Sequence, residues 1–347
     1  MNRSPLRFLV PGTSSRFRCG GLLVALQSAR LCAEFAPAVE IVTYRQKEAG
    51  YLFLADLLQQ EAAPGAALWI VSWGFDVPGL LRQLRGRAVA YHAHSSGYGF
   101  ELPPGVPVIA VSRNTLGYWG DRAPRCPLLL VPNALDPAFT TPFVDPPAGK
   151  RRPIDVLVQA RKTSAYVLDQ LVPALRKQGL KVELQSGWVD DLAALFSNTT
   201  VMLYDSADYW RSVGVTEGFG LPPLEALARG CVLFSSFNHA LADNLDPGVT
   251  AWQIGCGSLA NDLKQIAAAV ANPAAFMPKQ EILTALLLEH SESKVQQRWQ
   301  LALAAVDQHF DQLQNGAIPL LHVPSWRLRW GRRLSRIKRL VLRAYAP

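Results

Sequence analysis

Glu217 and Glu225 lie eight residues apart in the stretch EGFGLPPLEALARGC, residues 217–231. Gly218 and Gly220 sit between them and let the backbone approach a ligand closely, with Phe219 and Leu221 completing the loop. Pro222 and Pro223 suit the start of a helix, where a missing N–H costs nothing, so Glu225 is expected in the first helical turn. One carboxylate before the glycines and one after can both accept hydrogen bonds from the hydroxyls of one elongated polar ligand, a sugar at one end and a ribose at the other. A capping carboxylate beside an unrelated loop glutamate is the plainer alternative.

Four other loops carry candidate chemistry. PGTSSRFRCGG (11–21) places Gly20 and Gly21 where a helix begins, offering bare N–H groups to an anion or a hydroxyl, or only a flexible turn. YHAHSSGYG (91–99) holds a His-x-His at a strand end. No third ligand at metal spacing accompanies it, so the pair is either a satisfied structural feature or a binding element. His94, further into the loop, is the one placed to bond a substrate hydroxyl or phosphate. Arg161 and Lys162 end one strand and open the next helix, where they form either a diphosphate grip or a solvated pair. In SGWVDDLAAL (186–195), Asp190 or Asp191 can cap the following helix, and the backbone of Gly187, Trp188 and Val189 could face a nucleobase.

Alternating strands and helices must position these loops. Aliphatic runs at 6–10, 40–44, 67–72, 88–92, 108–111 and 128–131 read as strands, with helices over 22–35 and 51–60. A Pro-rich, charged linker spans 140–153. The rhythm then restarts, with strands at 154–159, 181–185, 200–204 and 231–235 and helices at 164–177, 191–197 and 223–229. After Asn261 the pattern is mostly helical. Two open parallel α/β units follow, and ligands of such sheets bind at the carboxyl ends of the strands. The site is therefore expected in the cleft between the two units.

Composition narrows the class. A chain of 347 residues, 49% hydrophobic and 18% charged, is long enough for two packed domains. No apolar run reaches membrane-spanning length, and Leu6–Val10 is too short for the core of a signal peptide. Cysteines 19, 32, 126, 231 and 256 are odd in number and include no C-x-x-C, which fits a reducing cytoplasm better than a disulfide framework or a zinc site. The net charge of +8 is local. Residues 325–347 hold eight Lys or Arg and no acid; removing those eight from the 35 leaves 27, equal to the number of Asp and Glu. Trp326, Trp330, Leu334, Ile337 and Val341 lie on one face of a helix, with basic residues on much of the rest and Gly331 as an interruption. This describes an interfacial anchor on an anionic membrane, or a terminal helix docked on the protein. A nucleic-acid binder would spread its charge over a folded face, so nucleic acid is not expected as a partner.

The ordered set of loops is similar to retaining glycosyltransferases of family 4, which have the GT-B fold. The resemblance rests on the E-x7-E pattern of Glu217 to Glu225. It is supported in order by Gly20-Gly21, the His94 loop, VIAVS (108–112), VPNALDPAF (131–139), ARK (160–162) and the G-x-V turn at 187–189, over roughly residues 5–310. It implies two Rossmann-like domains, 1–145 on the acceptor side and 146–290 binding the nucleotide-sugar. A helix over 291–324 would cross back to the first domain, and a basic tail would occupy 325–347. It also implies roles. Glu225 would hold ribose hydroxyls and Glu217 the donor sugar. The N–H groups of Gly218, Phe219 and Gly220 would bind sugar hydroxyls and diphosphate. Arg161 and Lys162 would take the leaving-group charge, Gly20 and Gly21 would close from the other domain, and His94 would touch the donor sugar. Transfer with retention through an oxocarbenium-like transition state would need no metal and no cofactor beyond the donor, and no D-x-D motif is present. An acceptor at the membrane face, in polysaccharide or glycolipid assembly, would suit the tail. The chain departs from the family pattern in three places: Arg161 and Lys162 are adjacent, Ala134 replaces the glycine of the PNG turn, and SFNHALADN (236–244) stands where a glycine-rich loop is usual. A GT-B epimerase or phosphorylase and an inactive sugar-binding module are the competing readings.

Overall fold

The computed structural model describes residues 5–61, 65–140 and 151–344, with side chains to residue 339. The linker expected over 140–153 falls mostly on 141–150, outside the described residues. Two parallel sheets carry the chain. The first contains β1 (Leu6–Val10), β2 (Val39–Thr43), β3 (Leu52–Phe53), β4 (Leu68–Val71), β5 (Val89–Ala93), β6 (Val108–Ala110) and β7 (Leu128–Leu130), in the order β3-β2-β1-β4-β5-β6-β7. The second contains β8 (Ile154–Gln159), β9 (Val182–Gln185), β10 (Thr199–Tyr204), β11 (Val232–Ser235) and β12 (Trp252–Gln253), in the order β12-β11-β10-β8-β9.

Alternation along the strands builds a core on each face of each sheet. Leu9, Trp69, Val71 and Tyr91 pack on one side of the first sheet, and Leu6, Phe8, Leu68, Ile70 and Ala90 on the other. In the second sheet Leu157, Met202, Tyr204 and Leu233 oppose Val156, Val158, Val201, Leu203, Val232 and Phe234. The helix Glu292–Gln314 inserts Val295, Trp299, Ala302, Leu303 and Val306 into the core of the first sheet, although it follows the second in sequence. Its Glu292 accepts hydrogen bonds from Gln27 and Arg30 of the helix Gly20–Ala33.

Three details differ from the sequence reading. Tyr51–Gln60 is not one helix: Leu52 and Phe53 pair with Val42 and Thr43 as an edge strand, and the helix is Leu54–Gln60. The helix expected over Ser164–Lys177 opens with a π segment, Tyr166–Leu171, before the α-helix Val172–Lys177. Pro173 has no N–H to continue an i→i−4 ladder there. Helices over Val77–Gln83, Arg113–Arg122 and Ala207–Val213 lacked a legible period.

Trp299 is 1% exposed and meets Phe8 edge-on at 6.0 Å and His92 at 5.0 Å. Trp299→Ala is expected to cost about 3–5 kcal/mol, read by chemical denaturation. A loss under about 1 kcal/mol would show that the returning helix is not part of the first core.

Candidate active site

Strand order changes direction twice, and both switch points carry candidate residues. In the second sheet β8 lies between β9 and β10, so the loops after β8 and β10 flank a crevice at their carboxyl ends. The first of these loops is a single 3₁₀ turn, Ala160–Lys162. The second runs from Asp205 through the helix Ala207–Val213 to Gly220. Lys162 and Glu217 meet there, with Nζ 3.8 Å from Oε1. Lys162 also lies over the Trp210 ring, 4.5 Å from its centroid. Glu217 is 5% exposed, and its Oε2 accepts hydrogen bonds from Tyr204 Oη at 2.6 Å and Trp210 Nε1 at 2.7 Å. One oxygen is thus fully engaged while the other faces the ammonium. Burial depresses the Lys162 pKa, and the attraction of Glu217 offsets only part of that.

The loop Gly218–Leu221 is shaped by contacts that exclude side chains. A Cβ on Gly218 would collide with the His94 carbonyl oxygen, and one on Gly220 with Leu241 Cδ2. Gly220 also takes φ +84°, a left-handed conformation that favours glycine, and caps the helix Leu221–Ala228. Phe219 is buried in the second core. Among the described residues no protein acceptor takes the backbone N–H of Gly218, Phe219 or Gly220, which leaves three buried donors without a protein partner. Glu225 is the fifth residue of its helix, past the first turn where the sequence reading put it, because the left-handed Gly220 starts the helix at Leu221. Glu225 is half-buried. Desolvation, helped by the negative charge of Asp136 in the loop after β7, raises its pKa to about 8.

The first domain closes on this loop. Ser95 Oγ donates to the Thr216 carbonyl at 2.6 Å, Ser96 N–H donates to Thr216 Oγ1 at 3.1 Å, and Thr216 N–H donates to the Ser96 carbonyl at 3.1 Å. His94 lies one residue past β5, with Nε2 3.1 Å from His92 Nδ1. Burial lowers the His94 pKa to about 4, so the imidazole is neutral at pH 7 and acts as a hydrogen-bonding group. Its Nδ1 edge faces Gly21, where the helix Gly20–Ala33 begins.

Lys162, Glu217, the glycine loop, His94, Gly20 and Gly21 therefore converge. Arg161 is exposed beside them, near enough for its charge to help lower the Lys162 pKa, whereas Lys162 turns inward. Gly187 and Val189 follow β9, one strand further out, and the neighbouring Trp188 receives Arg18 of the first domain at 4.8 Å. Asp191, rather than Asp190, caps the helix Leu192–Ser197 by accepting from Ala194 N–H at 2.8 Å. Tyr204, Trp210 and Thr216 carry no site signal of their own in the sequence: Tyr204 closes a strand, and Trp210 and Thr216 lie in the aromatic stretch DSADYWRSVGVT (205–216) ahead of Glu217. His239, the one described non-glycine residue with positive φ (53°), accepts from Glu217 N–H at 3.3 Å, which puts the SFNHALADN segment behind Glu217. Among the described residues, no three His, Cys, Asp or Glu side chains are grouped to hold a metal ion.

Solved structures share this fold. A glycosyltransferase from Rickettsia africae superposes with a TM-score of 0.60 at 10% identity, over 88% of this chain and 99% of that one. Sucrose-phosphate synthase from Thermosynechococcus elongatus gives 0.57 at 16% identity, over 91% and 100%. Anabaena HepE, solved in complex with UDP-glucose, gives 0.55 at 13% identity, over 90% and 99%. At these identities the likeness establishes the fold, the two facing parallel sheets of GT-B glycosyltransferases. No family model matches the chain, and no curated protein matches it by sequence.

With its pKa near 8, Glu225 is mostly protonated at pH 7 in the empty site. A ligand whose hydroxyls donate to its carboxylate must displace that proton, so affinity should rise with pH up to about 8. Calorimetric titration in two buffers of different ionisation enthalpy should show proton release, absent in Glu225→Gln. A buffer-independent heat in the unmodified protein would contradict the assignment.

Proposed function

We propose that the protein is a retaining glycosyltransferase that moves a sugar from a nucleotide-diphosphate-sugar to a membrane-proximal glycan or glycolipid, on the cytoplasmic face. The observation that carries this reading is the meeting of Lys162, Glu217 and the free N–H groups of the Gly218–Gly220 loop at a strand-switch crevice. A leaving diphosphate gains charge as the C1–O bond breaks. A desolvated ammonium and fixed N–H dipoles are what stabilise that charge. Lys162 supplies the cation from the protein itself, which supports a metal-independent mechanism. The acceptor hydroxyl bonds to C1 on the face the diphosphate leaves, and its proton passes to the departing oxygen. Glu225 accepts the ribose hydroxyls, Gly187 and Val189 border the base, and Glu217 and His94 orient the sugar. Anabaena HepE, of the same fold, was solved with UDP-glucose, which supports a nucleotide-sugar as the donor class. Lys162→Ala should lower kcat about 10²–10³-fold in a transfer or donor-hydrolysis assay, with the donor's anomeric configuration kept in the first-formed product by NMR. A fall under about tenfold, or inversion, would refute the mechanism.

The tail supports the membrane assignment. Ser325–Ala344 is a helix, continuous through Gly331, and Trp326, Leu328, Trp330, Leu334 and Ile337 are all exposed. Arg327 and Arg333 lie over the rings of Trp326 and Trp330. The apolar strap before it, with Ile318, Leu320 and Leu321 exposed, is fixed to the first domain by Pro319 against Gly105 and His322 Nε2 3.5 Å from Cys126 Sγ. No described helix is long and apolar enough to cross a membrane. A basic amphipathic helix instead lies in the interface of an anionic surface. Removing 325–347 should abolish flotation with anionic vesicles and leave donor hydrolysis intact; unchanged flotation would remove the tail from this role.

A further inference from the structure

A cavity of about 650 Å³ opens beside the site, lined by Arg16, Phe17, Arg18 and Cys19 from the loop after β1, Arg45 from the loop after β2, and Trp73 from the loop after β4. These strands are neighbours in the order β2-β1-β4, so the cavity sits at the carboxyl end of the first sheet, at its switch point. We propose that it is the acceptor subsite, and that Arg16, Arg18 and Arg45 select an acceptor bearing a phosphate or diphosphate group.

The charge balance supports this. Arg45 is paired with Asp76 at 2.6 Å, and Tyr44 Oη donates to the other oxygen of the same carboxylate at 2.6 Å. Asp76 holds Arg45 in place and neutralises one of the three cations. Arg16 and Arg18 are exposed, and each lies over an aromatic ring, Phe17 and Trp188 respectively. Two unneutralised guanidiniums match a doubly negative group, and their forked N–H geometry suits phosphate oxygens. Phe17 and Trp73 give the cavity an apolar wall for a sugar face or the first units of a lipid.

The loop is also built to hold its shape. The Glu48 carboxylate accepts from Thr13 N–H at 2.8 Å, Thr13 Oγ1 at 2.5 Å and Ser14 N–H at 3.3 Å. Gly12 leaves room for Phe17, whose ring would lie 2.5 Å from an added Cβ. A 3₁₀ turn, Ser15–Phe17, then presents Arg16. The cavity borders the proposed donor site: Cys19, on its wall, is an electrostatic neighbour of Lys162, and Gly20 and Gly21 follow at once. An acceptor anchored by its phosphate on Arg16 and Arg18 would therefore reach toward Lys162.

Use of the cavity by an acceptor depends on the glycosyl-transfer reading; the anion site itself does not. The probe is inorganic pyrophosphate, titrated calorimetrically into the full chain at physiological salt with saturating UDP, which occupies the proposed donor site. Binding is expected to persist with UDP present and to weaken roughly tenfold in Arg16→Gln and in Arg18→Gln. Arg16 is exposed and lies only over the ring of its neighbour Phe17, so its variant keeps the test valid if Arg18→Gln fails to fold. Absent binding with UDP present, or unchanged affinity in Arg16→Gln, overturns the proposal. UDP titrated alone reads the donor site separately: if UDP does not bind but pyrophosphate binds through Arg16, the donor reading fails and this one stands. Two acceptor arms name the source of the phosphate, a soluble sugar phosphate and a polyprenyl-diphosphate-linked sugar in phosphatidylcholine vesicles. Arg16-dependent transfer to either supports the assignment. Equal transfer to a phosphate-free glycan, unaffected by Arg16→Gln, overturns it.

Discussion

Gly218 presses against the carbonyl of His94 so closely that a methyl group has no place between them. The rest of the site depends on this contact. It joins a loop at the end of β5 to a loop after β10, two elements far apart in sequence, and it does so through backbone alone. Gly97 repeats the arrangement on the other side, where an added Cβ would lie 2.6 Å from the Gly214 carbonyl oxygen and φ is +95°. Thr216 fills the space between these glycines with hydrogen bonds to Ser95 and Ser96. Glycine at both ends and small hydroxyls in the middle let two main chains approach while leaving their polar groups paired. Glu217 follows directly, so the seam that joins the domains also sets where the carboxylate stands.

The electrostatics of the crevice follow from that closure. Burial by both domains desolvates Lys162, His94 and Glu225 together, and each responds toward its neutral form. Lys162 alone has a carboxylate partner, and it is held over an indole face as well. The empty site is therefore a low-dielectric space with one partly compensated cation and several unused N–H donors. Such a space favours a ligand that brings its own negative charge, and favours still more a state in which that charge grows. The arginine cavity adds a second anionic preference beside the first, at the switch point of the other sheet. Each sheet thus presents its cations at the end where parallel strands leave loops free to vary.

Much of this was legible in the sequence because it is local. Aliphatic runs marked β1, β8 and β10 nearly to the residue, since strands buried on both faces have few other compositions. The 217–225 stretch declared itself by glycine, proline and carboxylate in one window. Contacts between segments left no such mark. Trp210 and Tyr204 bind Glu217 from a helix and a strand end, and only the fold brings them there. Arg16, Arg18 and Arg45 are scattered surface arginines until β2, β1 and β4 are set side by side. Which of two adjacent cations turns inward, Lys162 over Arg161, depends on the pitch of a single 3₁₀ turn, and no sequence period encodes that. The strands β3 and β12 have two residues each, too short for alternation to show.

The proposed nucleotide-sugar site lies where the loops after β8 and β10 meet the loop after β5. Hydrogen–deuterium exchange on the full chain tests it directly, with and without the nucleotide-sugar that most raises the melting temperature. Slowed exchange is expected at 160–163 and 214–221, carried across the seam to 94–97. Slowed exchange confined to other segments, with the Gly218–Gly220 amides unchanged, would contradict it.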